Sequence, residues 1–305
     1  MPTVRLLHLS DLHLAARKKR LRSSRFDPAV LEELARCAYF LRDHYDAFLV
    51  SGDLGDSGEM DDLERAFDFL YANAQPSNTP WLSARQKPTL QAAGKPIFLL
   101  PGNHDRYQSW PGGDPAGGNF DTIFSRDWLG GLGGVQGIPL PDKDEPFIWI
   151  LFADFTLARK EDAARLEGKW GQGYVYDSRL ESLVSRTKAA QAKNAAVVWA
   201  LHFAPEFEDH YPLKESLRLL SANSLMRDAQ ALNVRHIFCG HTHQRKLYPE
   251  RPPHDVRVHC AGTACCRARN EDTSFHVVEI DVVAGHVSEV REKDLTWTES
   301  EGAFK

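Results

Sequence analysis

The stretch "FLLPGNHDRY", residues 98–107, begins like a buried strand and ends in a cluster of reactive groups. Ile97 and the three apolar residues after it form a continuous apolar run, the pattern of a strand covered on both faces. Pro101 and Gly102 then break the run and present Asn103, His104 and Asp105 in a row. Packing alone gives no reason for an amide, an imidazole and a carboxylate at the tip of a core strand.

Other apolar runs end in the same way. "LLHLS" leads into Asp11-Leu12-His13, "FLVSG" into Asp53, "VVWAL" into His202, and "HIFCG" into His241-Thr242-His243. In open α/β sheets, ligands sit beyond the carboxyl ends of the strands. If these strands share one parallel sheet, their tips converge at one edge. Asp11 and His13 are two residues apart, as are His241 and His243, so in extended backbone each pair points to one side. Carboxylate, imidazole and amide donors without a thiolate suit manganese, iron or zinc. Asp11, His13, Asp53, Asn103, His202, His241 and His243 exceed what one tetrahedral ion takes, so two divalent ions are expected. A single carboxylate with two oxygens can bridge them.

Taken singly, a histidine is more often a surface or satisfied core residue than a ligand. The chain has 13, and no role is assigned to His8, His44, His210, His236, His254, His259, His276 or His286. Chance does not readily supply this many metal-competent endings on separate strands.

The bulk numbers bound the class. With 305 residues, 42% apolar and 26% charged, the chain is an ordinary globular protein with length for a proper core. A net charge of −5 speaks against a nucleic-acid binder, and no run approaches the roughly 20 apolar residues of a membrane span. The start "MPTVRLLHLSD" carries no secretory-signal pattern. Cys37, Cys239, Cys260, Cys265 and Cys266 are an odd set without C-x-x-C spacing, so reduced thiols in a cytoplasmic protein are expected.

Strands are expected at 4–9, 47–50, 97–100, 147–153, 196–201, 235–239, 256–260 and 275–280, with a hairpin break at "VVAGHV". Helices are expected from Pro28 to about Tyr45 with Asp27 as N-cap, over about 61–73, from a capping box of Ser178 and Glu181, and within 215–232. Residues 106–146, with "WPGGDPAGG" and "LGGLGGVQG", read as a glycine-rich insertion without regular structure inside one domain covering 1–305. Its Tyr107, Trp110, Phe120 and Trp128 either stack on a substrate base or form the small core of a folded loop.

The blocks "DLH" (11–13), "GD" (52–53), "GNHD" (102–105), "LH" (201–202) and "GHTH" (240–243), in that order, resemble the calcineurin-like metallophosphoesterase superfamily. The resemblance spans residues 5 to about 265. It implies an α/β fold, a four-layer α/β/β/α sandwich with a dinuclear metal centre at the strand tips. It places Asp11, His13 and His243 on one ion, Asn103, His202 and His241 on the other, and Asp53 between both. His104 would assist the departing oxygen and Asp105 would orient His104. The implied activity is metal-dependent hydrolysis of phosphate esters, with activated water attacking phosphorus in line.

Within the superfamily, "GDLGDSG" and "GNHD" depart from the G-D-x-V-D-R-G and G-N-H-E blocks of serine/threonine protein phosphatases. UDP-diacylglucosamine hydrolases usually carry arginine where His104 stands. The wording is most similar to class III cyclic-nucleotide phosphodiesterases and their bacterial relatives, except that "LHFAPE" has Pro205 one residue later than H-x-P. A phosphodiesterase acting on a small, nucleotide-like ester is therefore the expected function. Two alternatives stand beside it. One is an SbcCD-like DNA nuclease, which the basic run "RKKRLRSSR" (17–25) keeps open; the other is a non-catalytic scaffold, which the full set of ligands disfavours.

Overall fold

The computed structural model of the chain describes residues 1–15, 27–71, 89–107, 118–131, 134–140, 146–156, 171–205, 217–248, 255–265 and 273–305. The basic run 17–25, Trp110, Cys266, His210 and His254 lie outside the described residues. The chain opens with β1 (Thr3–Leu9), α1 (Pro28–Phe40), β2 (Ala47–Val50), α2 (Met60–Tyr71) and a 3-10 turn (Leu90–Ala93). There follow β3 (Ile97–Leu99), α3 (Asn103–Arg106), α4 (Gly118–Ile123), β4 (Val135–Leu140), β5 (Ile148–Ala153) and β6 (Gly173–Tyr174). Next come α5 (Asp177–Gln191), β7 (Ala196–Ala200), β8 (Leu219–Leu220), α6 (Ala222–Ala231), β9 (His236–Cys239) and β10 (Lys246–Tyr248). The chain closes on β11 (Arg257–Cys260), β12 (Ser274–Val283), β13 (His286–Thr298) and β14 (Ala303–Phe304).

The strands form two six-stranded sheets, ordered β14-β13-β12-β1-β2-β3 and β10-β11-β9-β7-β5-β4. The strand tips therefore do not share one sheet: β1, β2 and β3 run parallel in the first, and β7 and β9 run parallel in the second. Their carboxyl ends still meet, because the sheets lie face to face. Alternation along β7 shows the layering. Ala196, Val198 and Ala200 pack into the cluster that holds Leu6, Val278 and Phe275 of the first sheet. Val197 and Trp199 pack the other way, with Leu180 and Leu183 of α5 and Leu225 of α6. On β1, the His8 ring meets Phe238 edge-on across the sheets at 5.6 Å, which leaves Leu7 and Leu9 for the face that α1 and α2 cover. The result is the α/β/β/α sandwich.

Local chemistry explains most element boundaries. Asp27 caps α1 by accepting from the Ala29 N–H at 2.8 Å, with proline at the first turn. α1 ends at Phe40, short of Tyr45, whose hydroxyl folds back to donate to the Ala38 carbonyl at 2.9 Å. The hairpin at "VVAGHV" turns through Ala284 (φ 48°) and Gly285 (φ 76°), the two left-handed residues of a type I′ turn. Two expectations are corrected. α5 begins at Asp177 with Tyr176 at its cap and no capping hydrogen bond, so Ser178 sits inside the first turn and forms no capping box. The glycine-rich insertion contains regular structure: α4, and β4 as an edge strand antiparallel to β5. At Gly137 a side chain would meet Leu151 at 2.8 Å, so glycine there lets β4 approach β5. Tyr107, Phe120 and Trp128 are all buried, which makes them core residues and removes them as an open stacking platform. Among the described residues no helix is long and apolar enough to cross a membrane.

Polar groups also cross between the sheets. Glu292 on β13 accepts from His259 Nδ1 and from Arg245 Nη2, each at 2.6 Å. Burial alone would raise its pKa, but the His259 hydrogen bond and the neighbouring positive charges pull it down to about 2. A carboxylate depressed in the folded state adds stability above its unfolded pKa and loses it as pH falls. Urea unfolding of wild type should therefore lose about 2 kcal/mol more than Glu292→Gln between pH 7 and pH 3. A stability difference between the two proteins that does not change with pH would refute this assignment.

Candidate metal centre

The site is built on unusual backbone. Asp11 (φ 54°), His13 (φ 45°), Asp53 (φ 53°), His241 (φ 68°) and His243 (φ 54°) all lie in the left-handed region. The expected extended D-x-H and H-x-H geometry is thus corrected: each pair converges through a tight left-handed turn. Such residues cost about 1–3 kcal/mol each and persist only where surroundings over-determine them. Here the tips of β1 and β2 stay zipped together. The Asp11, His13 and Leu14 N–H groups donate to the Gly52, Asp53 and Leu54 carbonyls at 3.0, 3.0 and 2.9 Å. The second sheet is tied on by the His241 N–H, which donates to Asp11 Oδ2 at 2.9 Å. Close approach needs glycine at two points. A side chain at Gly52 (φ 96°) would meet His202 Nδ1 at 2.5 Å, and one at Gly240 would collide with Ser10 Oγ.

Two clusters of donors result. In the first, His13 Nε2 lies 3.0 Å from His243 Nε2, and His243 Nε2 lies 3.2 Å from Asp11 Oδ1. In the second, His202 Nε2 lies 3.0 Å from Asn103 Oδ1 and 3.2 Å from His241 Nδ1. Asp53 Oδ2 belongs to both, 3.8 Å from His13 Nε2 and 3.4 Å from His202 Nε2. Its other oxygen, Oδ1, accepts the His104 N–H at 2.8 Å. The atom common to both clusters is therefore one oxygen, Oδ2. Asp11, His13, Asp53, Asn103, His202, His241 and His243 are all buried.

Backbone carbonyls fix the histidine tautomers, since a carbonyl can only accept. His202 Nδ1–H donates to Ser51 O at 2.8 Å, which turns the Nε2 lone pair inward. His241 Nε2–H donates to Leu217 O at 3.1 Å, so Nδ1 is its inward atom. His104 Nδ1–H donates to Asp56 O at 2.8 Å, which fixes its tautomer, and His104 alone of these histidines is half-buried. Asp105 does not orient that ring directly. Its carboxylate accepts the N–H groups of Leu54, Gly55 and Gly102 at 3.2, 2.9 and 2.8 Å, stapling the GD and GNHD loops together. Burial, then repulsion from Asp53, pushes Asp105 up to about 7.

The charges suit cations. Burial lowers His13, and burial with the nearby His202 lowers His241 to about 3, so both are neutral imidazoles, the ligating form. Burial would raise Asp11 and Asp53, but attraction from the histidines outweighs it and holds both carboxyls well below their usual range. His202 runs against burial: the attraction of Asp53 lifts it to about 9. A divalent cation would replace that proton.

A model of the calcineurin-like phosphoesterases matches residues 4–245. The chain belongs to the calcineurin-like phosphoesterase family. It is a metal-dependent phosphoesterase, and its fold recurs among solved structures. A dimetal phosphatase from Danio rerio aligns with TM-score 0.62 at 12% identity, covering 97% of this chain and 99% of that one. GAP50, the anchor in the inner membrane complex of Plasmodium, aligns with TM-score 0.55 at 13% identity, covering 97% and 85%. No curated protein matches the sequence.

The donors fit a dimetal phosphoesterase site. Imidazole nitrogens and carboxylate oxygens crowd within 3.0–3.8 Å of one another, a packing of lone pairs that a cation relieves. Asp11, His13, Asp53 and His243 form one candidate ligand group and Asp53, His202 and His241 another, with a third set, His13, Asp56 and His104, beside the first. Sequence reasoning missed the groups that aim these ligands. The carbonyls of Ser51, Asp56 and Leu217 carry no side-chain signal, and Asp154, just past β5, is a further buried carboxylate at a strand end. Because Asp53 touches both groups, equilibrium dialysis of Asp53→Ala against manganese should find fewer than two ions per chain. Two retained ions would mean that Asp53 is not shared.

Proposed function

We propose that this phosphoesterase hydrolyses phosphodiesters, with small nucleotide-like diesters as its substrate class. One observation carries the reading. A half-exposed imidazole, oriented by a main-chain carbonyl, stands beside two buried ligand groups that share a single carboxylate oxygen. The His13 and His104 rings lie 4.5 Å apart, edge to face, so the imidazole is next to the first group. The wording of the five motifs, similar to that of cyclic-nucleotide phosphodiesterases, supports the diester class over monoesters.

Two divalent cations, when bound, supply Lewis acidity, generating a nucleophile from water at neutral pH and offsetting charge on the phosphate oxygens. Asp11, His13 and His243 would hold one, and Asn103, His202 and His241 the other, with Asp53 common to both. The remaining work falls to the chain's own groups. Ser51 O and Leu217 O keep the ligand lone pairs of His202 and His241 pointed inward. Asp53 Oδ1 holds the His104 backbone, and Asp56 O holds its ring. With Nδ1–H committed to that carbonyl, a proton on Nε2 is the one available to the departing oxygen. Alkoxide leaving groups need such a donor most, which fits an ester of a ribose or similar alcohol. Asp105 keeps the loops bearing Asp53 and Asn103 at fixed separation.

The DNA-nuclease reading predicts binding to single-stranded DNA that weakens steeply with salt. A scaffold reading takes its support from the GAP50 fold match, since that protein is described as an anchor. The complete ligand set favours catalysis over it.

Manganese-loaded protein should be assayed on cyclic nucleotides, nucleotide esters, phospholipid-derived diesters, single-stranded DNA and bis-p-nitrophenyl phosphate. Turnover of nucleotide diesters above the others is the expected result. His104→Ala should keep its metal and lose about 100-fold or more in kcat. No hydrolysis of any diester by metal-loaded wild type would overturn the reading, and an unchanged kcat in His104→Ala would remove His104 from it.

A further inference from the structure

Arg106 directly follows Asn103, His104 and Asp105, yet its side chain is fully buried. A buried guanidinium is tolerated only when its hydrogen-bonding capacity is met. Arg106 is hydrogen-bonded to Asp154 and Gly131 and ion-paired with Asp121, on separate parts of the chain. Nε and Nη2 lie 3.0 and 2.8 Å from Asp154 Oδ2, at the end of β5. Nη1 lies 2.9 Å from Asp121 Oδ1 on α4, and Nη2 donates to the Gly131 carbonyl at 3.2 Å. The guanidinium also sits over the Phe120 ring, 5.1 Å from its centroid.

Asp154 is itself held fast. Its Oδ1 accepts the Thr156 N–H at 2.9 Å and the Thr156 hydroxyl at 2.5 Å, and Arg179 Nη1 donates to its carbonyl at 2.6 Å. The segment 118–131 touches the catalytic loops a second time. Asn119 Nδ2 donates to Gly58 O at 3.0 Å, and the Gly58 N–H donates to Tyr107 O at 2.7 Å. α3, in contrast, spans only Asn103–Arg106. A helix of one turn has no stability of its own, so its direction is set by what grips its ends. Asp105 grips the backbone of the GD loop, and Arg106 grips α4 and the tip of β5.

We propose that Arg106 is a positioning residue. Its ion pairs with Asp121 and Asp154 lock α3 to the 118–131 segment and to the tip of β5, and so aim the His104 imidazole at the leaving oxygen. The inference rests on the reading of His104 as proton donor. It gives the glycine-rich insertion a task beyond core packing: α4 holds α3, and with it His104, in place through Asp121 and Arg106.

The test uses methyl aryl phosphodiesters with phenols of rising pKa, from p-nitrophenol to p-methoxyphenol, and manganese-loaded full-length protein. Arg106→Lys keeps the charge and loses the two-sided fork. Asp121→Asn loosens only the tie to α4, and its side chain is 27% exposed, so it serves where Arg106→Lys does not fold. In both, kcat/KM should fall less than about 3-fold for p-nitrophenol and about 10-fold or more for p-methoxyphenol, the steepening seen more strongly in His104→Ala. Amide exchange at residues 103–107 should quicken, with two manganese ions retained. Equal losses for all leaving groups, or none, in Arg106→Lys and Asp121→Asn would overturn the inference while His104→Ala remained steep. A His104→Ala slope as shallow as wild type would instead overturn the reading of His104, and the inference with it.

Discussion

Asp53 Oδ2 stands between imidazoles supplied by the two sheets, His13 from the first and His202 from the second. For that to happen, the carboxyl ends of β1, β2, β7 and β9 must meet at one rim, which demands face-to-face stacking of the sheets. The inter-sheet core, built from residues such as Leu6, Val198, Phe238, Phe275 and Val278, holds that register. Polar groups reinforce it: His8 Nε2 lies 2.9 Å from Ser51 Oγ, and the Ser51 carbonyl is the one that orients His202.

The arrangement is locally unfavourable. Five of the donor residues adopt left-handed backbone, and buried carboxylates face buried imidazoles. The rest of the fold must hold these turns in place, and it does so with backbone hydrogen bonds between adjacent loops rather than with side chains alone. Asp105 exemplifies this: its carboxylate, accepting three N–H groups, serves the loops and not the neighbouring ring. A divalent ion at each cluster would remove the remaining electrostatic conflict, so folding and metal affinity are coupled.

Much of this was legible in the sequence because the ligands are side chains at the ends of apolar runs. Asp11, His13, Asp53, Asn103, His202, His241 and His243 could be picked from their position after β1, β2, β3, β7 and β9, and the structure brings them together. The division of those strands between two sheets was not legible from the runs themselves, because a buried strand reads alike in either sheet. β4 was hidden by Gly137 and Pro139, residues that an edge strand tolerates and strand propensity penalises. The orienting carbonyls of Ser51, Asp56 and Leu217 leave no trace in residue identity. Nor does sequence spacing reveal that Arg106, beside the GNHD block, reaches Asp121 and Asp154. The histidines left without a role divide as expected for core and surface: His8, His236, His259 and His276 are buried, while His44 and His286 are exposed.

Two clusters joined by one carboxylate oxygen should each hold a cation. Anomalous diffraction from crystals of the protein grown with manganese tests it most directly. Two peaks are expected, one among Asp11, His13 and His243 and one among Asn103, His202 and His241, each adjacent to Asp53 Oδ2. A single peak, or peaks away from Asp53, would contradict it.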